Sequence, residues 1–479
     1  MVRGLGDGVH DRRAGRAHEK GRRDRDAPLR KLDGPRALLP LAPGGPAPVP
    51  RRAAAPLPAA PAGALPAHGP GARAGPQEPD RLLHLLRDRR ARPKRAGEFL
   101  AFRGLYRVKL LAFNWRDPRH PEAGGAELHL AEILTRAVRD GDQVTWLAEA
   151  FPGSKPEEEV QGMRVLRAGS WYNAHLALAQ LYRRKLRGER FDLVLEDINK
   201  VPFFTPWYVR DPVLAVVPHL FGSSVFQEAS PVLGALVRAH ESLIPFVYRG
   251  VPFLAISEST RNELVGRGIP RERIDVVRCG LDQSAYTVTI PPETRTQPVV
   301  VFVGRLRKYK GAQHLIRAFP RVLSRVPEAR LRIVGDGPYR EALQTLALAL
   351  GIESRVEFLG SLSHREKVEA LNQAMVATAP SPKEGWGLTV IEANACGTPV
   401  VASRSPGLVE SVRDQETGLL VPHGDTRALA DAIVSLIEDR PRRLRMAEAA
   451  LRWAREFTWE RCYAESRAVI ERAARAGAA

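Results

Sequence analysis

The chain has 479 residues and a formal net charge of +19, from 73 Lys and Arg against 54 Asp and Glu. That length allows two or more domains, and the three cysteines, Cys279, Cys396 and Cys462, give neither a disulfide framework nor a metal-ligand spacing. The basic balance invites a nucleic-acid function, but most of the excess charge sits in one segment and no RNA-binding motif accompanies it.

That segment is residues 1–105. It carries 15 of the 39 prolines and 22 Lys and Arg against 10 Asp and Glu, so 12 of the 19 net positive charges lie there and 7 on the other 374 residues. Its Ala/Pro/Gly tracts cannot bury enough apolar area to offset the entropy of ordering, which predicts a disordered basic extension. Residues 37–41 are too short for a secretory h-region, and no run of about twenty apolar residues is present for a membrane-spanning helix. A mis-assigned start is the other reading. The next methionine is Met163, inside the folded region, so a shorter product needs a non-methionine codon.

From residue 106 strands and helices alternate, which predicts parallel sheets with helices on both faces. Residues 107–113 read as a strand, followed by a long loop and a helix over 126–139. Gly124 and Gly125 at that helix start let backbone approach a ligand closely. They are not a dinucleotide fingerprint, because the third glycine and the acid about twenty residues on are absent. Residues 178–190 place Arg183, Arg184, Lys185 and Arg187 beside Leu178, Leu181 and Leu186. Two readings stay open for them: a helix lying on an anionic membrane, and a solvated face. Residues 213–221 form a buried strand with His219 at its carboxyl end, where a lone histidine is more often structural than catalytic. Strand ends follow at 253–259 and 274–282, and residues 286–298, with Pro291 and Pro292, read as an extended linker.

In the carboxyl half, the β-branched run 299–303 ends in Gly304 and delivers Arg305, Arg307, Lys308 and Lys310 just before a helix over 312–323. Cations at that point stand where anions bind. Residues 330–338 are a strand running into a glycine turn, then a helix over 339–350. Residues 356–360 are a short strand, and Ser363 with Glu366 forms a capping box for a helix over 363–371. Residues 374–379 are a buried strand. Then comes Glu384-Gly385-Trp386-Gly387-Leu388-Thr389-Val390-Ile391-Glu392, two carboxylates eight positions apart around a Gly-Trp-Gly turn that opens a short helix closing at Gly397. With the strand at 399–402 this is a βαβ unit, and its turn lies at the carboxyl end of the first strand, where open α/β sheets bind ligands. The amides of Gly387, Leu388 and Thr389 lack intrahelical acceptors and can face an anion. Glu384 stands before them, and Glu392 lies roughly 6–8 Å further along the axis. A strand at 418–421 and helices over 426–437 and 458–474 complete the pattern.

At these residues the sequence resembles the retaining, nucleotide-sugar-dependent glycosyltransferases of family GT4, whose signature is two glutamates separated by seven residues around a glycine-aromatic-glycine turn. The resemblance covers about residues 107–463. It implies the α/β architecture called GT-B: Rossmann-like domains over 106–290 and 291–455 facing across a cleft, with 456–479 crossing back onto the first. The same resemblance puts Glu384 near the donor sugar and Glu392 on the ribose hydroxyls. Arg305 and Lys310, five apart, hold the diphosphate, while Arg307 and Lys308 read as solvated. Gly125, in the Gly-Gly-Ala-Glu turn, faces the donor across the cleft, and His219 stands beside the donor sugar. The expected catalytic set is thus His219, Glu384, Arg305 and Lys310. The expected donor-binding set is Gly125, Gly387, Leu388, Thr389 and Glu392, with backbone near 356–360 meeting the base.

The implied reaction moves a sugar from a nucleoside-diphosphate sugar to a hydroxyl of a glycan or lipid-linked acceptor, with retention at the anomeric carbon. Charge growing on the diphosphate would be stabilised by Arg305, Lys310 and the Gly387–Thr389 amides. No cofactor beyond the sugar-nucleotide substrate and no metal is then expected, and no nucleic-acid partner. Cysteine usage fits a reducing, cytoplasmic compartment, with peripheral membrane association resting on the first reading of 178–190. Two rival classes remain: a nucleotide-sugar 2-epimerase of the same architecture, which uses different carboxylates, and a non-catalytic scaffold.

Overall fold

The computed structural model of the protein describes residues 107–478 apart from 228 and 229. The extension expected over 1–105 lies outside the described residues. The first half comprises β1 (Lys109–Phe113), α1 (Gly125–Arg139), β2 (Gln143–Ala148), β3 (Glu157–Val160), β4 (Met163–Arg167), α2 (Ala174–Leu181), β5 (Leu193–Asp197) and β6 (Val213–Val217). It continues through α3 (Pro231–Ser242), β7 (Phe253–Ala255), α4 (Glu258–Gly266) and β8 (Ile274–Val276). These strands make one sheet in the order β3-β4-β2-β1-β5-β6-β7-β8, parallel except for the β3–β4 pair.

The second half holds β9 (Val299–Val303), α5 (Ala312–Arg325), β10 (Arg330–Val334), α6 (Arg340–Ala349), β11 (Val356–Gly360), α7 (His364–Gln373) and β12 (Val376–Ala379). After these come α8 (Leu388–Ala395), β13 (Val400–Ser403), β14 (Gly418–Val421), α9 (Thr426–Glu438), α10 (Arg440–Ala454) and α11 (Trp459–Ala478). Its sheet runs β11-β10-β9-β12-β13-β14, all parallel, so the strand order reverses between β9 and β12. That reversal opens a crevice at the carboxyl ends of those two strands.

The central strand β9 is apolar throughout because both its faces are covered. Val299 and Val301 join one core, Val300 and Phe302 the other. In α5, Ala312, Leu315, Ile316, Phe319 and Val322 recur at helical spacing and all are buried. The capping box of α7 forms as its residues predict, with Ser363 Oγ accepting from Glu366 N and Glu366 accepting from Ser363 N.

Strands β2–β5 and helix α10 lie where the sequence pattern names no element. β3 is Glu-Glu-Glu-Val on an exposed edge, and α10 is arginine-rich, with Met446, Ala447, Ala449 and Ala450 as its buried side. Neither carries a strong apolar period. Residues 178–190 do not form the separate amphipathic helix of the first reading. They finish α2 and continue as a π-turn, Tyr182–Leu186, whose Leu178, Tyr182 and Leu186 are buried in the core. Lys185 pairs with Glu157 at 3.2 Å and Arg183 lies over the Tyr208 ring. The apolar side of this segment holds the sheet, and Arg183, Arg184, Lys185 and Arg187 are exposed.

The two sheets share one continuous core through α11. Trp459, Val469 and Ile470 pack with Leu130 and Leu134 of α1 in the first half, and with Trp386 and Phe457 in the second. Polar ties reinforce it: Tyr463 OH donates to Asp140 at 2.6 Å, Arg472 pairs with Asp275 at 2.8 Å, and Arg467 pairs with Asp142. Buried Arg295, in the segment joining the halves, donates to the carbonyls of Ile290, Ala374, Cys396 and Gly397 and to the Thr398 hydroxyl. Burial lowers its pKa to about 10.

Candidate functional site

β9 and β12 are neighbours, so the turns that follow them meet. The first ends in the 3-10 turn Lys308–Lys310 and the second carries Glu384. Lys310 Nζ lies 2.7 Å from Glu384 Oε1 and 2.8 Å from Oε2, and Ser381 Oγ donates to the same Oε1 at 2.7 Å. Burial alone would lower the Lys310 pKa, but the Glu384 carboxylate outweighs it and the net shift is upward. The ammonium is therefore locked in its charged form.

The Gly-Trp-Gly turn has a separate reason for each residue. A Cβ on Gly385 would stand 2.6 Å from the carbonyl oxygen of Pro218 in the facing lobe. Gly387 has φ +87, the left-handed region that favours glycine, and starts α8. Trp386 is buried, edge-on to Phe457 at 5.1 Å, with the Arg278 guanidinium 5.5 Å over its ring. The aromatic thus wedges the turn against the chain leading into α11. Val390 N to Gly387 O, 2.9 Å, is a first-turn bond of α8, so the Gly387, Leu388 and Thr389 amides stand at its open end.

Glu392 is held from two sides. Tyr286 OH donates to its Oε1 at 2.5 Å and Lys367 Nζ at 2.9 Å, while Lys367 and Tyr286 touch each other at 2.6 Å. Burial and the carboxylate push the Tyr286 phenol pKa upward. Neither Tyr286 nor Lys367 stands out in the sequence as a site residue.

Arg305 is exposed and reaches the opposite lobe, where its Nη2 donates to the carbonyls of Glu122 and Ala123 at 3.0 Å each. It is not gathered with Lys310 on one carboxylate. Lys308 is exposed, as its solvated reading has it, whereas Arg307 is half-buried. On the facing lobe the guanidinium crowds Gly124, where a Cβ would collide with its mobile end, and a Cβ on Gly125 would find Leu388 Cδ1 at an ordinary 3.6 Å. The first residues of α1 and α8 therefore confront one another, and the tight position is Gly124. Glu127 closes the box on the α1 end by accepting from Gly124 N at 2.8 Å.

His219 lies two residues beyond β6, with its ring 5.2 Å from that of Phe221. Burial lowers its pKa to about 4, the Lys383 cation adds to the effect, and Glu384 opposes it. The imidazole is neutral at pH 7, beside the Lys310–Glu384 pair. Two further contacts clamp the lobes around Glu384. Lys383 pairs with Glu263 at 2.6 Å and donates to the Leu220 carbonyl. Glu410 accepts from the amides of Glu258 and Ser259 at 2.8 and 2.7 Å, at the start of α4. A cavity of about 500 Å³ runs along α1 past Pro118, Gly124 and Leu128, and contains none of these charged groups.

In the facing lobe the strand order reverses between β1 and β5. There Asn114 donates to Asp197 at 2.7 Å and Asn199 donates to Asn114 at 3.0 Å. Burial, with Glu127 and Glu196 nearby, holds the Asp197 carboxyl pKa well above its ordinary value.

Two family models match the chain: Glycosyltransferase Family 4 over residues 123–285 and Glycosyl transferases group 1 over 289–453. The chain belongs to glycosyltransferase family 4. This family-4 chain is 37% identical over 222 residues to a D-inositol 3-phosphate glycosyltransferase of Corynebacterium aurimucosum, covering 42% of this chain and 52% of the relative. A protein of the same description from Nocardia farcinica is 38% identical over 217 residues, 42% and 48% of the two chains. The chain spans about half the length of the curated relatives it matches. Among solved structures, sucrose-phosphate synthase of Thermosynechococcus elongatus superposes with a TM-score of 0.66 at 21% identity, covering 76% of this chain and 99% of that one. Anabaena Alr3699/HepE in complex with UDP-glucose gives 0.62 at 20% identity, covering 76% and 99%. These likenesses show the GT-B fold, as the resemblance to family GT4 implies.

Proposed function

We propose that the protein is a retaining glycosyltransferase that moves a sugar from a nucleoside-diphosphate sugar to a hydroxyl of a glycan or lipid-linked acceptor. The observation that carries this is the Lys310–Glu384 pair, 2.7 Å, set at the mouth of α8 with Glu392 one turn further in. Lys310 and the Gly387–Thr389 amides offer positive charge where a diphosphate leaves, and Arg305 can swing from the Glu122 and Ala123 carbonyls to join them. Glu392, oriented by Tyr286 and Lys367, would take the ribose hydroxyls. Glu384 orients the donor sugar and is not assigned to attack it. The leaving phosphate takes the acceptor's proton on the same face, and neutral His219 holds the sugar without adding charge. The cationic groups make a divalent metal unnecessary, and activity that vanished in EDTA and returned with Mn²⁺ would contradict that. Three free cysteines, all buried, suit a reducing compartment such as the cytoplasm.

The acceptor has a second reading. Relatives are named for D-inositol 3-phosphate, and here the loops after β1 and β5 bring Arg116 (3.0 Å) and Lys200 (4.0 Å) to Glu149. Burial lowers the Lys200 pKa to about 8, with the Arg116 cation adding to it. A phosphorylated polyol could be held by that cationic pair. The test is a thermal-shift screen of UDP-, GDP- and ADP-sugars, then product analysis with phosphorylated and plain acceptors. Transfer with the donor's anomeric configuration kept supports the proposal. Interconversion of sugar nucleotides without acceptor would make it an epimerase, and no turnover of any bound donor would make it a scaffold.

A further inference from the structure

An amphipathic helix normally docks through its apolar stripe, and α3 does the reverse. Among its twelve residues the buried ones are Gly234 and Glu241. Glu241 anchors it by accepting the amides of Phe221 and Gly222 at 2.6 and 3.0 Å and by pairing with Arg267 at 3.1 Å. Its apolar side chains point outward. Val232 is 82% exposed, Leu236 is exposed, and Phe246 just beyond the helix is 77% exposed. Trp171, Tyr172 and Trp207 are exposed as well.

These residues share one side of the first sheet. Leu111, Phe113 and Val194 pack under α2, while Ala215, Val217 and Phe253 pack under residues 244–248. The register pairs Leu111 with Val194, Val194 with Val213 and Ala215 with Phe253, so all face the same way. Phe204 joins the elements, stacking on Trp207 at 5.1 Å and on His240 of α3 at 5.9 Å. The same side carries exposed Arg183, Arg184, Arg238 and Arg249. Among the described residues of 168–187, 198–210 and 220–252 no carboxylate is exposed.

We propose that this face of the first lobe seats on an anionic lipid bilayer. Aromatic and aliphatic side chains would enter the headgroup boundary and the arginines would meet lipid phosphates. Charge selects this occupant over two others. Residues 1–105 carry a net +12 and would be repelled, and a second copy would bring the same arginines face to face. A bilayer supplies the missing negative charge. The loop from α3's anchor at Phe221 leads to His219, 5.2 Å away ring to ring, so a seated protein would have this end of its cleft beside the lipid. Binding needs no donor, which keeps the proposal separate from the transfer reading.

The test is co-sedimentation of the full chain with phosphatidylglycerol-containing and pure phosphatidylcholine vesicles, at low salt and at ~0.5 M salt. At high salt the Debye length shrinks to about 4 Å, so attraction by the basic extension fades while apolar insertion persists. Val232→Asp with Phe246→Asp should lower the partition coefficient about tenfold or more with an unchanged melting midpoint. Tryptophan emission should be quenched by brominated lipid and lose that quenching in Trp171→Phe/Trp207→Phe. Equal binding by the aspartate variant would overturn the proposal and place the contact elsewhere. Absence of vesicle binding, with a dimer that the variant dissolves, would also overturn it and make the face a self-association surface.

Discussion

The Glu410 carboxylate accepts two hydrogen bonds from Ser259 across the cleft, 2.7 Å from its amide and 2.6 Å from its hydroxyl. Ser259 Oγ in turn accepts from Gly407 N at 3.2 Å, and Glu384 N donates to Pro406 O at 3.0 Å. A short chain of backbone thus ties lobe closure to the carboxylate assigned to the donor sugar. Bonds to a charged acceptor at a helix start typically contribute ~1.5–3 kcal/mol each when shielded. Glu410→Ala should widen the cleft, raise the radius of gyration in solution scattering, and lower kcat/KM for transfer about tenfold. Unchanged scattering and kinetics would show that closure does not depend on this contact.

The Lys310–Glu384 pair gives the sharpest mutational expectation. Removing one charge leaves its partner in a half-buried site and takes away a proposed donor to the leaving diphosphate. Lys310→Ala and Glu384→Gln should each lower kcat on the order of 10²–10³-fold. The double variant should lose far less than the product of the two, because the residues act as one unit. Kinetic assays of the three variants check this, and strict additivity would separate their roles.

Tyr286 and Lys367 should act on donor affinity rather than on chemistry. Tyr286→Phe removes one hydrogen bond, about 1 kcal/mol, so the donor KM should rise roughly fivefold with kcat nearly constant. A fall in kcat at constant KM would remove Glu392 from ribose binding.

His129 sets a pH dependence of stability. It is buried, and burial lowers its pKa from 6.5 to about 4. The unfolded chain therefore binds more protons between these values. The contribution is complete above pH 6.5 and lost as pH falls toward 4, about 2 kcal/mol of it by pH 5. Urea unfolding at pH 7.5 and pH 5 measures this, and His129→Phe should shrink the difference by about 2 kcal/mol, leaving the part due to His219.

What could be read from the chain follows from how local each signal is. The run Val299–Val303 and the period of α5 are legible because burial on both faces or on one stripe writes itself into consecutive residues. Glu384 and Glu392 are legible because one turn and one helix set their spacing. The partners of those glutamates are not: Lys310 is 74 positions from Glu384, and Tyr286 is 106 positions from Glu392. Only the strand order brings them together. For the same reason Lys310 reads in sequence as a diphosphate ligand alone, while the fold also makes it the counter-charge of Glu384. The 178–190 segment misleads because leucines beside arginines look the same whether the leucines meet lipid or a sheet.

The most direct test of the whole account is calorimetric titration of the protein with UDP, GDP and ADP, alongside Arg305→Ala and Lys310→Ala. Saturable binding of one of the three, weakened about tenfold or more in each variant, is the predicted result. A protein that binds none of them, or binds one equally well without Arg305 and Lys310, would contradict it.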